Sequence, residues 1–205
     1  MFRLCAFGLV SALCIFTSAA GEAVPPAPPS TLTLVVSAER SLNAVTTAEL
    51  RRELDRLMRS AAIQVEWRQQ AELPLGGAMS DLVVVQFRGD CRVRSERVFF
   101  DERGPMAITQ VSNGEVLPFT EVLCDRVVAA ARPAIDAGEF ARRDVLLGRA
   151  LARVLAHELY HIKGQCREHG RAGVTKRALS GRDLIQDSLV FSAADLRRFA
   201  SHGTD

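Results

Sequence analysis

The segment from Val145 to Ile162 constrains the fold more than any other part of the chain. Val145, Leu146, Leu147, Leu151, Val154, Leu155, Leu159 and Ile162 place apolar side chains on almost every side of a helix. A helix that is apolar nearly all round is a buried one. It must therefore run through a packed structure with other elements against several of its faces. Asp144 is placed to cap its start, and Gly164 to stop it.

The remainder of the chain supplies the layers. Leu32 to Ser37 reads as a first strand. Thr47 is placed to cap a helix running to about Ala62, with Leu50, Leu54, Leu57 and Met58 at helical spacing. Ile63 to Trp67 alternates as a second strand. Leu82 to Phe87 is a continuous apolar run, expected to be a central strand covered on both faces. Met106 to Ser112 reads as an edge strand before the turn Asn113-Gly114. Phe119 to Val128 reads as a strand or as a strand passing into a helix, and Pro133 and Gly138 interrupt the next stretch. Gln165 to Lys176 is a loop, and Ser180 is placed to cap a last helical region reaching about Phe199. Strands and helices in this order give an α+β fold: a mixed β-sheet with a packed helix and the buried helix beside it.

The chain has 205 residues, enough for one domain, and its 26 basic residues nearly balance 24 acidic ones. No one-signed field exists to gather nucleic acid. Met1-Phe2-Arg3, an apolar run from Leu4 to Phe16 and the small residues Thr17 to Gly21 form a secretory signal pattern. The run is shorter than the roughly 20 residues a bilayer span needs. The expected organisation is a signal peptide over 1–20, a proline-rich spacer over 21–30 and one folded domain over 31–205. The mature chain is expected to be periplasmic or extracellular and free of the membrane. Cleavage removes Cys5 and Cys14. Of Cys91, Cys124 and Cys166, the first two each follow an apolar strand-like run, and Cys91–Cys124 is the expected disulfide. It would contribute roughly 3–4 kcal/mol in the loop-entropy picture.

The buried helix contains His157-Glu158-Leu159-Tyr160-His161, an HExxH pattern. Residues four apart share a helix face, so both imidazoles can reach one Zn²⁺. Glu158 is rotated by about 100° from His157, which sets it beside the metal. There it can hold a zinc-bound water and take its proton. Burying two histidines and a glutamate in an apolar helix is costly unless they share a partner. A third protein ligand is needed, and His169, past the Gly164 stop, is the first candidate. Asp183, Asp187 or a more distant Glu come next, then Cys166; His202 lies too near the end of the chain to be favoured.

These residues resemble the zincin metallopeptidases. HELYHIKG, His157 to Gly164, is similar to the metzincin pattern HExxHxxG. The resemblance implies a zincin-like fold, His157 and His161 as ligands, Glu158 as general base and Gly164 as the turn. Two features depart from it: the metzincin third histidine falls where Arg167 stands, and no Met occurs after Met106 to form a turn beneath the metal. The chain also resembles a group of small exported bacterial proteins of unassigned role that share HELYH, a later HG (His169-Gly170 here) and an LPF…CDR segment (Leu117 to Arg126). That likeness adds weight to His169 and Gly170.

The sequence thus points to an exported zinc metallopeptidase with one catalytic Zn²⁺, a peptide or protein substrate and no nucleic-acid partner. The alternative from another class is a non-catalytic zinc-binding scaffold that keeps a zincin-like site. Structural zinc sites usually have four protein ligands rich in Cys, which argues against it. Tyr160 and Trp67 read as packing residues, and the Met106–Ser112 edge strand is a place where a peptide could pair in extended form.

Overall fold

The computed structural model describes residues 29–70, 81–95 and 104–202. The signal-peptide expectation and nearly all of the spacer lie outside the described residues. The elements run β1 (Ser30–Ala38), α1 (Ala44–Ser60), β2 (Ile63–Gln69), β3 (Leu82–Arg88), β4 (Ala107–Ser112), β5 (Glu115–Leu123), α2 (Cys124–Asp136), α3 (Arg143–Lys163), α4 (Gly181–Ile185) and α5 (Ala193–His202). The fold is α+β with one five-stranded mixed sheet, in the order β2-β1-β3-β5-β4. The first four strands in that order are parallel, and β4 pairs antiparallel to β5 at the edge. Asn113 and Gly114 turn that hairpin with φ of 52° and 86°, the left-handed pair that a tight two-residue turn requires.

Register decides which side chains form the core. Leu34 lies opposite Val83 and Phe87 opposite Val122, so Leu32, Leu34, Val83, Val85, Phe87 and Val122 share one face and are all buried. The opposite face of β3 is only partly covered. The continuous apolar run of β3 therefore reflects one closed face and one half-closed face, not the two closed faces expected. Leu50, Leu54, Leu57 and Met58 of α1 fill the core beside this sheet.

Helix α3 packs along α1 at close range. A Cβ on Gly148 would lie 2.5 Å from the Thr46 carbonyl, so only glycine permits this approach. Every residue from Leu146 to Ile162 is buried, as its apolar pattern requires. Among the described residues, no helix is long and apolar enough to cross a membrane.

Several helix ends differ from the sequence reading. Asn43, not Thr47, caps α1, its Oδ1 accepting from the Thr46 N–H at 2.8 Å, while the Thr47 hydroxyl turns back to the Asn43 carbonyl. Asp144 sits in the first turn of α3 rather than at its cap. There it still favours the positive end of the helix dipole. Pro133 lies inside α2, which continues to Asp136. Its ring is on an exposed position, where the lost backbone bond can be met by water. Ser180 does cap, in a reciprocal box with Asp183, but the helix it starts is the short α4. Cys91 and Cys124 are bridged, with Cα atoms 4.7 Å apart. The bridge ties the segment after β3 to the first residue of α2, and Cys166 is free and buried.

The charged residues on α3 are held by a buried ionic network. Arg153, fully buried, donates from Nε to Glu53 Oε1 at 2.9 Å and from Nη1 to the Asp183 carbonyl at 2.8 Å. Arg56 grips both oxygens of Glu53 and also donates to the Leu189 carbonyl. One turn earlier on α3, Arg149 donates to the Ile185 and Gln186 carbonyls. Burial works to raise the Glu53 carboxyl, but Arg56 and Arg153 outweigh it and hold it below its ordinary value of 4.5. Replacing Glu53 by Gln leaves Arg153 buried without a counter-charge and should cost about 3–5 kcal/mol at neutral pH. A carboxyl depressed on folding contributes above its unfolded value and loses that contribution as pH falls toward its folded one. Urea unfolding should therefore show the full gap between wild type and Glu53→Gln at pH 7, narrowing below about pH 4.5. A gap independent of pH would contradict this.

Candidate metal centre

The last two turns of α3 carry His157, Glu158 and His161, all buried. His157 Nδ1 lies 2.9 Å from the Val174 carbonyl, and His161 Nδ1 lies 2.8 Å from the Cys166 carbonyl. A carbonyl oxygen can only accept, so each Nδ1 carries the proton and each Nε2 presents a lone pair. The two Nε2 atoms face each other at 3.1 Å. Burial pushes both imidazoles down from 6.5, which keeps them neutral. Two neutral acceptors at that distance have no proton to share. The arrangement is satisfied by a cation between them.

The chain end of α3 explains how the carbonyls arrive there. The Cys166 N–H bonds to the His161 carbonyl and the Gln165 N–H to the Ile162 carbonyl, the paired bonds of a Schellman ending. Gln165 takes the left-handed conformation at φ 42°, while Gly164 remains right-handed at φ −83°. The turn expected at Gly164 is thus made one residue later. Gln165 offsets its strain with side-chain bonds from Nε2 to the Val116 and Ile162 carbonyls. Gly164 is needed for space, since a Cβ there would lie 2.8 Å from the Tyr160 carbonyl, with Arg198 Cδ of α5 next at 3.1 Å.

Past this ending the chain returns over the helix. His169 is exposed, with its ring centroid 5.1 Å from that of His157 and 4.8 Å from that of His161. One nitrogen from each of the three histidines lies within 4.8 Å of the others. Gly170 permits the return. Its N–H bonds to the Thr175 carbonyl at 2.9 Å, and any Cβ on it would run into Thr175 Oγ1. The turn Gly173–Thr175 lies against His157 through the Val174 carbonyl, so a buried valine stands on this segment and no methionine is used.

The runner-up ligands are elsewhere. Asp183 is engaged by Lys176 and Ser180, and the Asp187 side chain is 93% exposed and paired with Arg149. Cys166 contributes its carbonyl, not its sulfur, to His161. Among the described residues, only His157, His161 and His169 form a cluster of this kind. Tyr160 is buried against Phe199 and bonded to Cys166, and burial first, then that bond, push its hydroxyl up to about 12. It is a packing residue, as is the partly buried Trp67, which also carries Arg51 over its ring.

Glu158 borders a cleft of about 230 Å³ together with the three histidines. Thr109 of edge strand β4 donates its hydroxyl to Glu158 Oε2 at 2.6 Å. Burial pushes the Glu158 carboxyl up from 4.5, while the Thr109 bond and the histidines pull it down. The sequence reading missed Thr109. Its only sign was alternation, since Ala107 and Thr109 share the inward face of β4.

A mixed sheet, packed helices and a buried HExxH helix together define a zincin-like α+β fold. Among solved structures, archaemetzincin from Methanopyrus kandleri shares it, with a TM-score of 0.52 over 89% of this chain and 100% of that chain, at 12% identity. No protein-family model matches the chain, and no curated protein matches it.

Gly170→Ala tests the placement of His169. The added methyl should displace the return loop and weaken zinc binding 10–100-fold in a chelator competition, roughly the usual effect of disturbing a ligand's support. The thermal midpoint of the metal-free chain should fall by only a few degrees, about what 1 kcal/mol does in a domain of this size. Unchanged zinc affinity would remove His169 from the site.

Proposed function

We propose that the chain is an exported zinc metallopeptidase, with His157, His161 and His169 as ligands of one zinc ion and Glu158 as general base. The observation that carries the proposal is the pair of facing, unprotonated Nε2 atoms with a third imidazole beside them and a carboxylate next to them on an open cleft. Three nitrogen donors and room for one more group fit catalytic zinc. The fold shared with archaemetzincin supports the same reading.

When bound, zinc supplies Lewis acidity toward a peptide carbonyl and acidifies water. The chain's own residues do the rest. The Val174 and Cys166 carbonyls fix the tautomer and the orientation of His157 and His161. Thr109 occupies Oε2 of Glu158, leaving Oε1 to accept a proton from the attacking water and return it to the leaving amine. Burial in the fold favours a carboxylate able to take and release that proton near neutral pH. The edge position of β4 leaves backbone N–H and C=O groups for an extended substrate. The signal pattern at the start of the sequence supports export.

Zinc content and casein turnover should separate the roles. His157→Ala, His161→Ala and His169→Ala should each lose zinc and activity together. Glu158→Gln should keep about one zinc per chain, the count its three-histidine site predicts, while hydrolysis falls roughly 10²–10⁴-fold. Full activity in Glu158→Gln would exclude it as the base. Zinc-loaded wild type that cleaves no peptide would favour the non-catalytic scaffold.

A further inference from the structure

The cleft beside the histidines carries two basic side chains that the hydrolytic chemistry does not use, Lys176 and Arg177. They differ in state. Lys176 Nζ donates to Asp183 Oδ2 at 2.7 Å. Burial opposes ionisation of Asp183, but Lys176 and Ser180 outweigh it and hold the carboxyl down to about 2. Lys176 and Asp183 are therefore a closed, neutral pair. Arg177 is exposed and makes no hydrogen bond or ion pair with any described residue.

The anchor of Arg177 is firm although its side chain is free. Just before it, Val174 and Thr175 are completely buried, and Lys176 is bridged to Gly170. Two residues after it, Leu179 is buried. The same short segment holds His157 through the Val174 carbonyl. The guanidinium thus springs from backbone that is locked to the candidate metal centre. The one acidic side chain bordering the cleft is Glu158, whose Oε2 is already taken by Thr109. No wall carboxylate among the described residues is placed to neutralise Arg177.

From this geometry we propose that Arg177 is a carboxylate-binding subsite of the cleft, which selects peptides carrying a negative charge near the bond to be cut. The proposal rests on the reading of the cleft as a peptidase site. A guanidinium presents a planar fork of donors that matches a carboxylate with two parallel hydrogen bonds. Peptides offer that group in two places, an aspartate or glutamate side chain and the C-terminus. The first source makes the chain an acid-preferring endopeptidase, and the second makes it an enzyme acting near C-termini.

Binding to zinc-loaded Glu158→Gln protein separates these sources without requiring turnover. Three alanine-based hexapeptides serve as probes: one blocked at both ends and uncharged, one blocked with a single central glutamate, and one acetylated with a free C-terminal carboxylate. Calorimetric titration should show one of the charged peptides binding about tenfold more tightly than the neutral one, a difference of about 1.4 kcal/mol. The peptide that gains identifies the source. Adding Arg177→Gln to the same background should abolish the difference while leaving the neutral peptide and the zinc content unchanged. Arg177→Lys should recover only part of it, because an ammonium keeps the charge and loses the fork. Equal binding of all three peptides, no binding of any, or a preference that survives Arg177→Gln would overturn the subsite. Carboxylate selectivity in a protein whose wild type cleaves no peptide would overturn the peptidase reading alone.

Discussion

The structure turns on two backbone carbonyls. Val174 and Cys166 each hold the Nδ1 proton of a histidine, and so aim two Nε2 lone pairs at each other across 3.1 Å. Without a cation this contact is repulsive and buried, a combination that folded proteins avoid. With one, it is the start of a coordination shell. The loop from Gly164 to Thr175 supplies both carbonyls and His169, so one short segment builds most of the site around the end of α3.

That segment works because α3 is held firmly from its other end. Arg149 and Arg153, at helical spacing before His157, engage carbonyls of the chain between Asp183 and Gln186, and Arg153 meets Glu53 of α1. Their role is to cover groups that would otherwise be unsatisfied in the interior. A buried ion pair gives little net stability against an apolar replacement, but losing one partner is expensive. Gly148, the close approach of α1 and the shared face of β1, β3 and β5 complete the frame. The disulfide between Cys91 and Cys124 fastens the start of α2 to the segment after β3.

Much of this was legible in the residues. The apolar pattern of α3, the alternation of β2 and the Asn113-Gly114 turn reflect local chemistry, and each formed as that chemistry requires. The HExxH spacing placed His157, Glu158 and His161 on the inner helix. The parts that were not legible depended on contacts far apart in sequence. No residue type signals that a Cys166 carbonyl will orient His161, or that Thr109 will reach Glu158 across 49 positions. Glycine adopts left-handed backbone freely, which makes Gly164 the expected turn. The Tyr160 carbonyl claimed that glycine for space, and Gln165 took the strained conformation with two side-chain bonds to support it. Pro133 marked a break that an exposed helix face absorbed.

The central claim is the identity of the three ligands, and zinc K-edge X-ray absorption on the purified, zinc-loaded chain tests it directly. Three imidazoles predict a first shell of nitrogen and oxygen at about 2.0–2.1 Å, with the multiple-scattering signature of three histidine rings and no sulfur. A sulfur scatterer at about 2.3 Å would place the Cys166 thiolate on the metal. A shell with only two imidazoles would remove His169. Either result would contradict a three-histidine site.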